Sequence, residues 1–338
     1  MYWPKQSKRI GVYFVLILLV EAKWPVPHLS IVIPSSRDTV ALEMTLASAL
    51  EHQPDDCEVI LVNDGSYEDP YELGDELRFV DVAPTPNSID LINVGARAAE
   101  GLVVHVLHSG VEVNSGWADP ALRHFEDPQI GSVAPELLLS GANATAIRGV
   151  DHRWGGRRVL VKGAARRNER APLGPTIWGG FYRRSAIESV GGWNRQLGTE
   201  TADLDLALSL RQVGFDAVSE PESRIRMAGC AIKEASGFRH GCTAERLFWR
   251  HPLAAWPIAL TLHVLRTAVG LSTGLRQPSR VAAEALGRFV GTASFFSARQ
   301  HRRNLEEILP PGSALPFTRD SQDETDSQDE TITRRRAA

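Results

Sequence analysis

Disulfide scaffolds and zinc ribbons have little to build on in this chain. Its three cysteines, Cys57, Cys230 and Cys242, are scattered and odd in number, and no C-x-x-C pair occurs. Buried thiols in a reducing compartment are the simplest reading of that usage. A surplus of positive charge is also missing. The formal net charge is -4 at pH 7, which argues against a general nucleic-acid binder. No uninterrupted apolar run reaches the roughly 20 residues that a membrane helix needs. Ile10 to Val20 is a short apolar stretch behind Lys5, Lys8 and Arg9. It is compatible with a weak anchor or uncleaved leader, a signal peptide ending near Ala22, or an extension from an early start codon. His251 to Leu271 is broken by Pro257 and carries His263 and Arg266, so it reads as an interfacial or packing helix.

What is present is ordinary globular material. The chain has 338 residues, 43% of them hydrophobic and 23% charged. That suffices for one large core, or for one and a half small ones. Leu29–Ile33, Glu58–Val62, Arg78–Val82 and Gly101–Leu107 are short apolar runs that read as strands. Between them, Asp38–Glu51 carries Leu42, Leu46, Ala49 and Leu50 at helical spacing, and Ser88 is placed to cap a helix running to about Glu100. Alternating strands and helices predict an α/β fold with a doubly wound, mostly parallel sheet. Ligands of such sheets bind beyond the carboxyl ends of the strands. Here those ends are Pro34-Ser35-Ser36, Asn63-Asp64-Gly65 and His108-Ser109-Gly110, which should face one crevice.

The second half differs. A basic segment runs from Arg148 to Arg170 and includes Arg157, Arg158, Arg166 and Arg167. Aromatic and glycine-rich blocks follow at Trp178-Gly179-Gly180-Phe181 and Gly191-Gly192-Trp193, and then an apparent helix from Asp203 to Val213. The tail after Pro310 is polar and repeats Ser-Gln-Asp-Glu-Thr at 321–325 and 327–331, a composition that predicts disorder. Four segments are expected: 1–27 as leader or extension, 28–230 as the main domain, 231–310 as a helical extension, and 311–338 as the tail.

In this order, Ser30-Ile-Val-Ile-Pro34-Ser35-Ser36, Glu58-Val-Ile-Leu-Val-Asn63-Asp64-Gly65-Ser66, Leu91-Ile-Asn93-Val-Gly95-Ala-Arg97, Trp178 to Arg184 and Ala202-Asp203-Leu204-Asp205-Leu206 resemble the family-2 glycosyltransferases of the GT-A fold, the bacterial rhamnosyltransferase-type members in particular. The likeness runs from Leu29 to about Met227. It implies an inverting transfer of a sugar from a nucleotide-sugar donor to a glycan or lipid-linked acceptor. Pro34, Ser35, Asp64, Gly65, Arg97, His108 and Ser109 would lie on the donor nucleotide, with Asp64 accepting from the base. Trp178, Gly179, Gly180 and Trp193 would shape the acceptor side. Asp203 would be the base that deprotonates the acceptor hydroxyl. The same likeness implies a cytoplasmic enzyme of cell-envelope polysaccharide synthesis, with contact to the inner membrane face in view and secretion by the leader left open.

The chain departs from the family at linked positions. Gly110 stands where a carboxylate normally binds magnesium or manganese across the two phosphates. Met227 stands where many members carry a metal-touching histidine, and Ala202 replaces a glutamate. His108 and Glu112 remain the weak candidates for a metal, although hard cations prefer oxygen donors. No cofactor is therefore expected, and Arg157, Arg158, Arg166 and Arg167 are candidates to neutralise the donor diphosphate. A solvated loop is the alternative for that basic segment. Two readings stay open, an active metal-independent transferase and a non-catalytic relative that binds a nucleotide, glycan or protein. A nucleotidyltransferase is disfavoured because Pro34-Ser-Ser-Arg37-Asp38 lacks the glycine-rich phosphate loop of that class.

Overall fold

The computed structural model describes residues 28–84, 87–140, 145–153, 157–163, 171–227, 236–251, 256–273 and 277–308. The leader, the repeated tail, Cys230, Arg166, Arg167 and Arg170 lie outside them.

The described strands join one ten-stranded sheet. Its first half is parallel: β1 (Leu29–Pro34) lies between β2 (Cys57–Asn63) and β4 (Val103–Val106), and β3 (Arg78–Asp81) flanks β2. Every residue of β1 is buried, as expected of a strand covered on both faces. The alternation of period two divides the core. Leu29, Ile31 and Ile33 join one apolar cluster with α1 (Thr39–Glu51), whereas Val32 joins a second cluster with α2 (Ser88–Ala98). Asp38 caps α1 through Ala41 N–H. The cap of α2 is Asn87 rather than Ser88, its side chain accepting from Ile89 N–H.

The second half is mixed. β9 (Phe181–Arg183) runs antiparallel between β4 and β6 (Ile130–Leu139). β10 (Asp216–Met227) pairs parallel with β6 and antiparallel with the short β5 (Val111–Val113). A hairpin of β7 (Thr145–Arg153) and β8 (Arg157–Lys162) hangs from β6. Within the basic segment, then, residues 157–162 form a strand and not a solvated loop.

The helix read as starting at Asp203 starts five residues earlier. α5 runs from Gly198 to Gln212, after the short α3 (Ala118–Arg123) and α4 (Arg184–Val190). Its entry carries no side-chain cap, so no local signal marks the true start and the acid at 203 mimicked a first-turn residue. Among the described residues four helices follow: α6 (Gly237–Arg250), α7 (Trp256–Thr273), α8 (Pro278–Thr292) and α9 (Phe295–Ile308). Pro257 sits in the first turn of α7, where proline is tolerated. Among the described residues no helix is long and apolar enough to cross a membrane.

Candidate functional site

The loops after β1 and β2 interlock. Ser35 Oγ donates to Asp64 Oδ1 at 2.9 Å and accepts from Asp64 N–H at 3.2 Å, while Ser66 N–H donates to the same carboxylate. Asn63 tightens the turn from the other side. Its side-chain oxygen accepts from Gly65 and Tyr67 N–H, and its amide donates to Tyr67 O at 3.1 Å and to Asp81 at 3.4 Å. A carboxylate at 63 has no proton to donate to either acceptor. The asparagine thus serves this turn as both donor and acceptor.

The loop after β4 is built differently. Gly110 has φ +87°, a left-handed value that suits glycine. Its N–H donates to Ala41 O and Thr45 Oγ, and Val111 N–H closes the turn onto His108 O. Nε2 of His108 and Oγ of Ser109 are both out of solvent with no hydrogen-bond partner. Burial lowers the His108 pKa, partly opposed by a hydrogen bond with the Ser109 backbone. At neutral pH its imidazole is therefore uncharged.

This loop connects to the second half of the chain. His108 N–H donates to Trp178 O at 2.9 Å, and the Arg158 guanidinium lies 5.0 Å over the Trp178 ring. Arg158 also forks onto Asp203, Nε to Oδ1 at 2.8 Å and Nη2 to Oδ2 at 2.5 Å. The two side chains are 7% and 0% exposed. Asp203 takes two further donors, Ile177 N–H at 3.2 Å and Leu204 N–H at 2.8 Å. Since Asp203 lies in the second turn of α5, Arg158 and not the helix terminus is its main electrostatic partner.

Several expectations need correction. Arg97 stands in the last turn of α2. The adjacent Ala98 carbonyl meets Arg78 at the start of β3, so Arg97 occupies the entry end of the sheet, away from the crevice. Trp193 is 3% exposed and packs edge-on against Tyr182, so it offers its face to the core and not to an acceptor. Gly179 is a packing residue, because a Cβ there would come within 2.0 Å of Ile225 Cδ1, and Gly180 is buried beside it. Trp178 alone of the four keeps partial exposure. Arg157 is exposed on β8 and close enough to His240 of α6 to help depress its pKa, after burial and other neighbours, so it leans toward the helical region.

The residues do not fit a hard divalent cation. Gly110 offers no side chain. Met227 is 3% exposed in the apolar cluster and pairs in register with Val111. Glu112 stands opposite Arg226 across β5 and β10. Among the described residues no group of three or more His, Cys, Asp or Glu converges to hold an ion.

Two polar arrangements escaped the sequence. Asn93 clamps the Gly192–Trp193 turn, donating to Trp193 O at 2.8 Å and accepting from its N–H at 2.9 Å. Asp205, two residues past Asp203 and so about 200° around the helix, receives Arg250 at 2.5 and 2.9 Å and His251 at 2.8 Å. Burial opposes its ionisation, but Arg250 and His251 outweigh burial and hold the carboxyl well below the usual range. The D-x-D spacing on α5 is the one signal that two carboxylates point to different partners.

Residues 30–191 match the family Glycosyl transferase family 2. Poly-beta-1,6-N-acetyl-D-glucosamine synthase of Staphylococcus aureus (strain COL) is 24% identical over 223 residues, covering 63% of this chain and 51% of that protein. The synthase of Staphylococcus epidermidis is 23% identical over 246 residues, covering 69% of this chain and 56% of its own length. The chain thus spans about half the length of these curated relatives. A crystal structure of GalNAc-T7 with UDP, GalNAc and Mn2+ superposes with TM-score 0.54 at 14% identity, over 67% of this chain and 48% of that one. At that identity the likeness concerns the GT-A fold alone.

Proposed function

We propose that this chain, whose residues 30–191 match the family Glycosyl transferase family 2, transfers a sugar from a nucleotide-sugar donor to a glycan or lipid-linked acceptor, with inversion and without a bridging cation. The observation that carries this reading is the continuous wall from His108 through Trp178 and Arg158 to Asp203. It supports a base and a phosphate-matching cation within one crevice, beside the Ser35–Asp64 clamp. In the proposed reaction the acceptor oxygen attacks the anomeric carbon opposite the diphosphate. The bond to the diphosphate breaks with its electron pair, and the acceptor proton passes to Asp203. Ser35, Asp64 and Gly65 hold the nucleoside, His108 and Ser109 offer neutral polar atoms nearby, and arginine takes the place of the metal.

The test is transfer from radiolabelled UDP-, GDP- and dTDP-sugars to oligosaccharide and lipid-linked acceptors in EDTA, with the product anomer read by NMR. An inverted product that D203N abolishes is expected. Transfer only with added cation, or a retained anomer, would overturn the reading. A second reading, a binding protein without activity, is favoured by the four donors that occupy Asp203. Nucleotide binding with no transfer to any acceptor would select it.

The reading includes the cytoplasmic face of an anionic membrane. Val264, Phe289 and Phe296 are 59%, 76% and 79% exposed on α7, α8 and α9. The same helices carry Arg266, Arg280, Arg299 and Arg303. Exposed apolar side chains on helices that also carry basic charge support interfacial binding.

A further inference from the structure

We infer that Arg158 is a latch on Asp203, released by the donor diphosphate, so that the base becomes available only after the donor is bound. The inference rests on the proposed role of Asp203 and adds the regulation of that site. As the side chains stand, Asp203 is a poor base. Both of its oxygens lie on one guanidinium and each also accepts a backbone N–H. A carboxylate so engaged is stabilised as an anion and presents no lone pair to an acceptor hydroxyl.

The other half of the pair is suited to leave. A guanidinium forks onto phosphate oxygens as well as onto a carboxylate. Arg158 rests on Trp178, whose carbonyl is bonded to the loop after β4, the loop that lines the diphosphate in the proposed reading. Among the described residues β8 pairs with β7 alone, so Arg158 stands on the outer strand of a hairpin and can shift without breaking the main sheet. Exchange of one anion for another on the same fork keeps Arg158 paired throughout, and the cost of the exchange falls on Asp203, which gives up its counter-ion. Asp203 retains its two backbone donors after the exchange, enough to hold its orientation while an oxygen turns to the acceptor.

The latch makes Asp203 and the diphosphate competitors for one cation, which gives an unusual signature. Nucleoside diphosphate affinity, measured by calorimetry with UDP, GDP and dTDP in EDTA, should rise by about tenfold in D203N, where the competitor is neutral. It should fall by about tenfold or more in R158Q, and the double variant should match R158Q. An unchanged or weaker affinity in folded D203N overturns the latch. Should either variant fail to fold, the wild-type protein still decides: its Arg158 Nε–H resonance, identified as the one missing from R158K, should move on saturation with the nucleotide that binds. Binding heat with that resonance unmoved overturns the latch and leaves the glycosyltransferase reading standing. No binding of any nucleotide to wild type or D203N overturns both.

Discussion

The loops after β2 and β4 flank β1 on either side, yet one has kept its carboxylate and the other has none. After β2, Asp64 is held by Ser35 and by its own turn, and Asn63 adds donors that an acid lacks. After β4, the backbone has settled into a turn with φ +87° at Gly110, and Met227 fills the neighbouring position with an apolar side chain. The difference teaches that the loop after β2 is organised around a carboxylate, whereas the loop after β4 is organised by backbone turns and carries none. Restoring family residues one at a time should therefore fail, because the surroundings have changed with them.

The largest effect is expected from Ala202→Glu, which would return the family's acid to a position that is 0% exposed within an apolar cluster. A buried unpaired carboxylate should cost about 3–5 kcal/mol, read as a lower urea midpoint. A stable variant with magnesium-dependent binding would break the comparison. Next, Asp64→Ala should weaken nucleoside diphosphate binding about tenfold to a hundredfold, since it removes the polar centre of the β2 loop. Calorimetry measures it, and an unchanged affinity would move the base site elsewhere.

Acid should strike the β4 side. His105 on β4 is stacked on Phe181, and burial pushes its pKa down to about 3. Burial also lowers His108. Both are neutral when folded and gain a proton on unfolding. Their stability contribution is then complete above the ordinary histidine value near 6.5 and is lost as pH falls below it, for His105 down to about 3. The loss should approach about 1.4 kcal/mol per pH unit for each group, visible as a urea midpoint that drops between pH 7 and pH 5. The smallest effect is expected from Gly110→Asp, at about 1–2 kcal/mol of strain from the left-handed backbone, with no gain of cation dependence in nucleotide binding.

Most of the parallel half was legible in the sequence, because β1, β2 and β4 are apolar runs closed by turn residues and α1 shows its buried stripe. The blocks that carry the family likeness fall at those strand ends. What could not be read depends on distant pairing. Arg158 and Asp203 are 45 residues apart, and Asn93 and Trp193 are 100 apart, and no local periodicity encodes either contact. The place of Arg97 is hidden for a different reason: helical spacing locates a residue on a helix but not at which end of the sheet that helix turn sits. Trp193 and Gly179 are packing residues that the sequence does not distinguish from lining ones, because aromatic and glycine residues serve packing and binding equally well.

The central claim is that the phosphate side works without a cation. Calorimetric titration of the wild-type protein with UDP, GDP and dTDP, in EDTA and again with magnesium or manganese, tests it directly. The account predicts binding of one nucleotide with the same affinity in both conditions. Binding that appears only with the cation would contradict it and return Glu112 and His108 to the site as ligands.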